Sequence, residues 1–257
     1  MTALAGIVSY LDAELRSAEI PDYDGARNGL QLANSGEVTR VAAAVDYSTN
    51  SVAAALKERA DLLVVHHGMF WRGAQPIVGV AYDRLRSAIA GGLAIYASHI
   101  PLDLHPTLGN NALLAKELQL TADAPFGEFR GVQIGVTGSC DLTTDDVAAR
   151  VRRYSAQFAA TLVSTPYPAG RRTRRWAIIT GAGASSSTIA EARARGVDTL
   201  IVGEGTHHTA VEAMELGFVI MYGGHYATET LGVRAVATQL TARFGVTSVF
   251  VDVPTGL

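Results

Sequence analysis

Cysteine is nearly absent from this sequence of 257 residues, in which Cys140 is the only one. A single cysteine excludes a disulfide within the chain, and it argues against a metal site built from thiolates. Such sparing use of cysteine fits a reducing compartment, so we expect a cytoplasmic location.

Strong net charge and long apolar runs are also missing. The formal net charge is −3, which gives no reason to expect general attraction to nucleic acid or to membranes. No apolar run approaches the ~20 residues that a transmembrane helix needs. In the N-terminal segment, Ile7, Leu11 and Leu15 repeat with the spacing of an amphipathic helix rather than of an export signal. The composition, with 48% hydrophobic and 18% charged residues, is that of a compact globular protein.

Strand-like and helix-like segments alternate along the chain, and this alternation predicts an α/β fold with mainly parallel sheets covered on both faces. The alternation resumes after a polar, proline-containing break at 121–126. We therefore expect two α/β domains, the first from residues 1–125 plus 223–257 and the second from residues 126–222. The predicted strands are Val38–Val45, Asp61–Val65, Leu93–Ala97, Gly131–Gly138, Arg175–Thr180, Val197–Val202, Phe218–Tyr222 and Val246–Val251. The predicted helices are Asn50–Arg59, Tyr82–Ala90, Asn110–Leu118, Thr144–Tyr154, Ser187–Ala194, His208–Leu216 and Thr228–Phe244.

Histidine is concentrated where predicted strands end. Five of the seven histidines lie in the stretches 63–67, 98–105 and 224–229. Parallel sheets collect ligands just beyond the carboxyl ends of their strands, so these stretches are predicted to meet at one edge. His66 and His67 would point to opposite faces of an extended strand unless the backbone turns at the strand end.

Each stretch has an ordinary structural interpretation when it is taken alone. The histidine pair could be one exposed ring and one buried, hydrogen-bonded ring. Asp103 lies in a stretch interrupted by Pro101, so it is predicted on a loop, where a single aspartate is usually a turn or cap residue. His225 and Glu229 have the i,i+4 spacing of one helix face, which is usually a surface contact. Together, the three stretches favour a metal site.

Imidazoles and carboxylates in these numbers suit two adjacent cations. Cations held ~3.5–4 Å apart in two-metal sites repel each other, and bridging carboxylates offset that repulsion. Nitrogen and oxygen donors without sulfur favour iron, manganese or zinc. His99 is predicted close by, where it would orient a ligand, move protons or make a structural hydrogen bond. The predicted bridging ligands are Asp103 and Glu229, and the predicted terminal ligands are His66, His67 and His225.

Four runs of the sequence resemble the Nif-three-like dinuclear metal-centre proteins, which are also described as GTP cyclohydrolase I type 2-like. The resemblance covers nearly the whole chain and implies two interlocked three-layer α/β domains, a ring-shaped homohexamer and two divalent metal ions. It implies the same five metal ligands, and this sequence does not depart from the family pattern at any of these positions. The runs are Asn28-Gly29-Leu30-Gln31, His66-His67-Gly68-Met69-Phe70-Trp71-Arg72-Gly73, His99-Ile100-Pro101-Leu102-Asp103-Leu104-His105-Pro106 with Leu108-Gly109-Asn110-Asn111, and Gly224-His225-Tyr226-Ala227-Thr228-Glu229.

Several single residues carry weaker signals. Glu204 ends a strand and is a candidate catalytic residue, whereas His207 and His208 are expected to begin a helix with exposed rings. Asp46 also ends a strand, where it could support a metal ligand or cap the following helix. His105 is expected at the surface.

Two short runs are also open to more than one interpretation. The run 181–187 lacks the dinucleotide fingerprint and the Walker lysine, so a tight turn with a serine cap is the better interpretation. The arginines of 171–175 could attract phosphates or form a solvated hairpin.

The first functional hypothesis is a metal-dependent hydrolase, in which a water activated by metal attacks carbon or phosphorus. His99 or Glu204 would handle protons, and the resemblance suggests a small-molecule substrate such as a purine nucleotide. The alternatives are a non-catalytic metal-binding ring for storage or delivery, and nucleic-acid association through residues 171–175, which a steep salt dependence would reveal.

Overall fold

Two larger β-sheets organise the computed structural model, which describes residues 2–71, 73 and 75–257. Each sheet belongs to its own compact unit. The first unit contains residues 2–102 and 232–253, and the second contains residues 103–231 and 254–257. Arg72, part of one motif quoted above, lies outside the described residues. None of the helices in the described ranges combines the length and apolarity needed to cross a membrane.

Helices and strands alternate as the sequence predicts, although it did not predict the strands Thr2–Ala3, Gly29–Leu32, Ala124–Phe129 and Val163–Ser164. The elements up to residue 103 are β1 (Thr2–Ala3), α1 (Leu4–Leu15), β2 (Gly29–Leu32), β3 (Glu37–Val38), β4 (Arg40–Asp46), α2 (Thr49–Lys57), β5 (Leu62–His67), α3 (Val80–Ala90), β6 (Ala94–Ala97) and α4 (Ile100–Asp103). Those that follow are α5 (Asn110–Glu117), β7 (Ala124–Phe129), β8 (Val132–Thr143), α6 (Thr144–Ser155), β9 (Val163–Ser164), β10 (Arg172–Ile179), α7 (Ser186–Ala194), β11 (Thr199–Val202), α8 (His207–Leu216), β12 (Val219–Tyr222), α9 (His225–Thr228), α10 (Thr230–Phe244) and β13 (Thr247–Phe250).

The sheet of the first unit has the strand order β13-β4-β5-β6-β2. All neighbours are parallel except β2, which runs antiparallel to β6. The first five residues of β5 are buried, as expected for a strand covered on both faces. Val249 lies opposite Ala42, so the C-terminal segment returns to complete this sheet, as the sequence analysis considered.

The sheet of the second unit is mixed rather than mainly parallel. Its order is β7-β8-β10-β11-β12-β9, and only the pairs β10–β11 and β11–β12 are parallel. The polar break predicted at 121–126 is only partly a loop, because residues 124–126 begin β7, which forms a hairpin with β8. Arg130 and Gly131 connect the two strands with positive φ values of 49° and 87°, as a tight hairpin turn requires.

The boundaries of the units differ from those expected at 125 and 223. Helix α5 packs on β8 and β10 of the second sheet, and α9 packs against α5 and α6. The segments 103–125 and 223–231 therefore belong with the second unit. The sequence pattern did not reveal this division because packing between elements decides it.

Two helices also depart from the prediction. Asp103 ends the short helix α4 instead of lying on a loop, because Pro101 occupies the first turn, where its missing N–H costs no hydrogen bond. The helix predicted over Thr228–Phe244 is divided at Glu229 into α9 and α10. This division leaves Glu229 between two helices, with its side chain buried.

Candidate metal centre

Three histidines of the first unit meet at the carboxyl ends of two neighbouring parallel strands. His66 and His67 end β5, and His99 follows β6. The ring centroids lie 4.8 Å apart for His66 and His67, 4.9 Å for His66 and His99, and 5.6 Å for His67 and His99. One ring nitrogen from each of the three lies within 4.8 Å of the others. The adjacent pair thus does not diverge to opposite faces, and the three nitrogens could face a common cation.

Each of these imidazoles is oriented through its Nδ1 atom. His66 Nδ1 donates to the carbonyl oxygen of Ser98 at 2.9 Å. His67 Nδ1 lies 2.8 Å from Asp46 Oδ1, and His99 Nδ1 lies 2.8 Å from Asp22 Oδ1. Metal-binding histidines characteristically donate their second ring nitrogen to such acceptors, which fixes the tautomer and directs Nε2 at the metal. The nitrogen donors of the first unit therefore fit a divalent transition metal.

Asp22 is the main residue of this cluster that the sequence analysis missed. Its carboxylate accepts hydrogen bonds from His99, from Asn28 Nδ2 at 2.9 Å and from the backbone N–H groups of Tyr23 and Ile100. Burial raises the pKa of Asp22, but the hydrogen bonds and the charge of His99 outweigh that effect and hold the pKa below its ordinary value. Asp22 lies 77 residues from His99 in sequence, so no local pattern marks it as a partner.

Asp46 supports a histidine and does not cap a helix, which decides between the two roles that the sequence left open. The cap of α2 is Ser48, whose hydroxyl accepts from the backbone N–H of Ser51 at 3.1 Å. Asp46 is therefore available to orient His67.

In the second unit, His225 lies between two carboxylates. Its Nε2 is 3.1 Å from Glu229 Oε2, and its Nδ1 is 2.9 Å from Glu204 Oε1. The i,i+4 pair predicted from the sequence is thus a direct contact, because α9 begins at His225. Glu204 occupies the place of an orienting carboxylate, and the proton-handling role predicted for it stays a prediction.

These carboxylates shift the titration of His225. Burial lowers the pKa of His225, but the hydrogen bonds and charges of Glu229 and Glu204 outweigh it and raise the pKa to about 9. Because this value exceeds the ordinary 6.5, protonated His225 stabilises the metal-free fold fully below pH 6.5, and the contribution is lost as the pH rises through about 9.

Asp103 is buried and held by polar residues of the same unit. Its Oδ1 accepts from Asn110 Nδ2 at 2.9 Å and from Thr180 Oγ1 at 3.3 Å. Asn111 donates to the carbonyl oxygen of Asp103 at 3.1 Å. Both asparagines of the run 108–111 are thereby explained as residues that position Asp103.

Asp103 and Glu229 lie next to two consecutive residues, Thr180 and Gly181, which follow the end of β10. Thr180 contacts Asp103, and a Cβ atom added to the next residue, Gly181, would collide with Glu229 Oε1 and lie 3.3 Å from His225 Nε2. Gly181 also has a positive φ of 63°, which residues other than glycine rarely adopt. Glycine is therefore required here on two grounds, backbone conformation and space for Glu229.

The five predicted metal ligands are shared between the units. His66 and His67 belong to the first, whereas Asp103, His225 and Glu229 belong to the second. Within each unit the predicted residues converge. Their joint coordination of two ions stays a prediction.

The weaker sequence signals have structural roles. His207 and His208 begin α8 with exposed rings, as predicted. The turn 181–187 ends in Ser185, whose hydroxyl caps α7 by accepting from Thr188 N at 3.1 Å. His105, expected at the surface, is half-buried and accepts from the backbone N–H of Leu108 at 3.0 Å.

The arginines of 171–175 are paired with carboxylates. Arg171 lies 3.6 Å from Asp198, and Arg172 and Arg174 lie 2.5 Å and 3.5 Å from Asp141. Arg175 lies 3.8 Å from Asp123. The basic run is thus neutralised locally, and it offers little support for nucleic-acid association.

The substitution Gly181→Ala should displace Glu229 from His225. We expect the pKa of His225 to fall from about 9 toward its ordinary value, because the strongest group that raises it is moved away. The measurement is an NMR titration of the histidine ring protons in chelator-treated protein.

Gly170→Ala is the matched control for this titration. Gly170 has a similar φ of 75° and no atom within 4 Å of an added Cβ. It therefore carries the same backbone strain without the collision and should leave the pKa of His225 unchanged. An unchanged pKa in Gly181→Ala as well would contradict the proposed contact.

This chain is similar to known proteins along almost its entire length. A curated relative from Deinococcus radiodurans is 40% identical over 254 residues, covering 98% of this chain and 93% of the relative. A second, from Pyrococcus horikoshii, is 39% identical and covers 98% of both. Both are named GTP cyclohydrolase 1 type 2 homolog. The crystal structure of a Thermus thermophilus protein, 35% identical, covers both chains fully with a TM-score of 0.86.

A family profile gives the same result from sequence alone. The profile described as Duf34/NIF3 (NGG1p interacting factor 3) matches residues 3–255. With the curated relatives and the shared α/β fold, this match shows that the chain belongs to the Duf34/NIF3 family.

Proposed function

We propose that this protein is a metal-dependent hydrolase with a dinuclear centre of iron, zinc or manganese. The observation that carries the proposal is the arrangement of His66, His67 and His99, each with Nδ1 held by a carbonyl or carboxylate oxygen. That pattern leaves Nε2 of His66 and of His67 as the donor atoms that a metal would use, with His99 beside them. In this proposal His66, His67, Asp103, His225 and Glu229 hold the two ions.

The donor types support divalent transition metals over other ions. Imidazole suits zinc and iron, and carboxylates suit manganese, whereas the only cysteine is bonded to the carbonyl of Thr173 within the second sheet. The carboxylates of Asp103 and Glu229 are both buried, and burying such charges is costly unless they are compensated. A cation would supply that compensation.

When bound, the ions would supply Lewis-acid activation of water at neutral pH. The chain's own residues perform the remaining tasks in this proposal. Asp22 holds His99 in one tautomer, so His99 presents Nε2 toward the cluster and transfers protons there. Asp46 and Glu204 orient His67 and His225 in the same manner. The name of the curated relatives supports a nucleotide-like or phosphorylated substrate.

Metal binding should depend on the named ligands. We expect two equivalents per wild-type chain, and a loss of affinity in His66→Ala and Glu229→Gln because each removes a donor. Asp46→Asn should weaken binding about 10–100-fold through the orientation of His67. Elemental analysis and calorimetric titration with zinc and manganese measure these changes.

His207→Ala is the control for metal binding, because His207 is exposed at the start of α8. It should retain the wild-type stoichiometry. Retention of both equivalents in His66→Ala would contradict the ligand assignment.

Turnover should require both metal and His99. With the metal-loaded protein and a panel of GTP and phosphoesters, we expect His99→Ala to lower kcat by about 10²–10⁴, the usual contribution of general acid–base catalysis, while metal content is retained. Unchanged turnover in His66→Ala and Glu229→Ala would refute the hydrolase. Bound metal without turnover on any substrate would favour the non-catalytic metal-binding alternative.

The homohexamer expected from the family resemblance is also a proposal. Helix α3 and the segment before it expose Ile77, Val78, Val80, Tyr82 and Ile89, and contiguous exposed apolar surface is typical of interaction sites. We expect wild-type protein to have six times the mass of one chain in light scattering and Ile89→Glu to have a smaller mass. Met214→Glu, at an exposed apolar position on α8, is the control, and an unchanged mass in Ile89→Glu would argue against this face.

A further inference from the structure

Exposed aromatic side chains are concentrated beside the histidine cluster of the first unit. Trp71 is 41% exposed and Tyr23 is 50% exposed. Phe70 is also exposed and lines the same small cavity as Trp71, His66 and His99. Aromatic side chains ordinarily contribute most when buried, so their grouping at one place indicates a use for the exposed rings.

The rings form a continuous aromatic surface over the histidines. The centroid of Trp71 lies 4.6 Å from that of His99 at an interplanar angle of 86°, and 5.2 Å from that of His67. Tyr23 lies 6.0 Å from Trp71 and 5.8 Å from His99. These distances are those of favourable aromatic pairs, and the three pairs that include Trp71 are edge-to-face. Trp71 and Tyr23 therefore extend the imidazole cluster outward.

The backbone that carries Trp71 is fixed by close packing. Gln31 accepts from the backbone N–H of Met69 at 2.5 Å and donates to the carbonyl of Arg27 at 2.6 Å. A Cβ atom added to Gly25 would lie 2.7 Å from the carbonyl oxygen of Trp71. An exposed ring on a fixed backbone loses little entropy on binding a ligand, which favours recognition.

The surroundings favour a planar ring over an organic cation. Arg27 lines the cavity next to the aromatic residues, and its guanidinium would repel a quaternary ammonium group. A nitrogen heterocycle has a π-face for stacking on indole or phenol, and stacking on aromatic side chains is how proteins hold bases with little dependence on sequence. Arg27 would in addition attract a phosphate attached to such a ring.

We propose that Trp71 and Tyr23 form a stacking site for a planar heteroaromatic ring, which they place beside His67 and His99. The proposal rests on the hydrolase proposed above and assigns the residues that would hold the ring of its substrate. It assigns Trp71 and Tyr23 to ligand binding rather than to metal coordination.

The test compares guanosine 5′-monophosphate with ribose 5-phosphate, which lacks the ring, by calorimetric titration of the full metal-loaded chain. Wild type should bind the nucleotide more tightly than the sugar phosphate. Trp71→Leu should weaken nucleotide binding about tenfold or more, the usual scale for a lost stacking contact, and leave ribose 5-phosphate binding unchanged. Trp71→Phe, which keeps an aromatic face, should retain most of the affinity.

His207→Leu provides the control, since it removes an exposed aromatic ring at the start of α8 and should not alter nucleotide binding. Fluorescence gives a second readout. Of the two tryptophans, Trp176 is fully buried, so quenching by nucleotide should appear in wild type and be absent from Trp71→Phe.

Three results would overturn the stacking site. They are equal affinity for the nucleotide and the sugar phosphate, wild-type nucleotide affinity in Trp71→Leu, and loss of metal from Trp71→Leu, which would make Trp71 a positioning residue for His67. Each differs from failure of the hydrolase proposal, which is measured by metal content and turnover in the wild type.

Discussion

Hydrogen bonds to the Nδ1 atoms of the histidines are the interactions on which the candidate centre depends. An imidazole can rotate and exchange tautomers, so proximity alone does not make a binding site. A backbone carbonyl holds His66, and carboxylates hold His67, His99 and His225. Each acceptor fixes one ring nitrogen as a donor and leaves Nε2 as the atom that a metal would bind, which in His225 lies 3.1 Å from Glu229 Oε2.

Two of these acceptors, Ser98 and Asp46, are in place because the parallel strands of the first unit are in register, and Asp46 lies opposite His67. Val65 lies opposite Ala97, so His66 follows one partner of that pair and Ser98 follows the other. The strands themselves are buried and apolar. Strand β5 therefore carries its polar side chains only where it ends, which is also where a ligand has access.

The second unit shows how the fold accommodates buried charge. Glu229 is buried next to Gly181, and in the metal-free protein it is compensated by His225, whose pKa its proximity helps to raise. Metal binding requires a neutral imidazole, so a cation and the His225 proton compete for the same carboxylate. The proton on His225 thus supplies the positive charge beside Glu229 that the proposed metal would supply.

The sequence predicted histidines and carboxylates that lie close together within each unit, because such residues after apolar runs mark the ends of parallel strands. The order of helices and strands was predictable for the same reason, since each burial pattern is local. Asp22 was not predicted, because it lies 77 residues from His99. Asp46 was named as a possible support for a ligand, but its partner His67, 21 residues away, was not. The mixed second sheet, the division of the long helix at Glu229 and the aromatic contacts of Trp71 also escaped prediction. Local sequence determined which histidines and carboxylates follow the strand ends, whereas tertiary structure decided which partners hold them, because those contacts join segments distant in sequence.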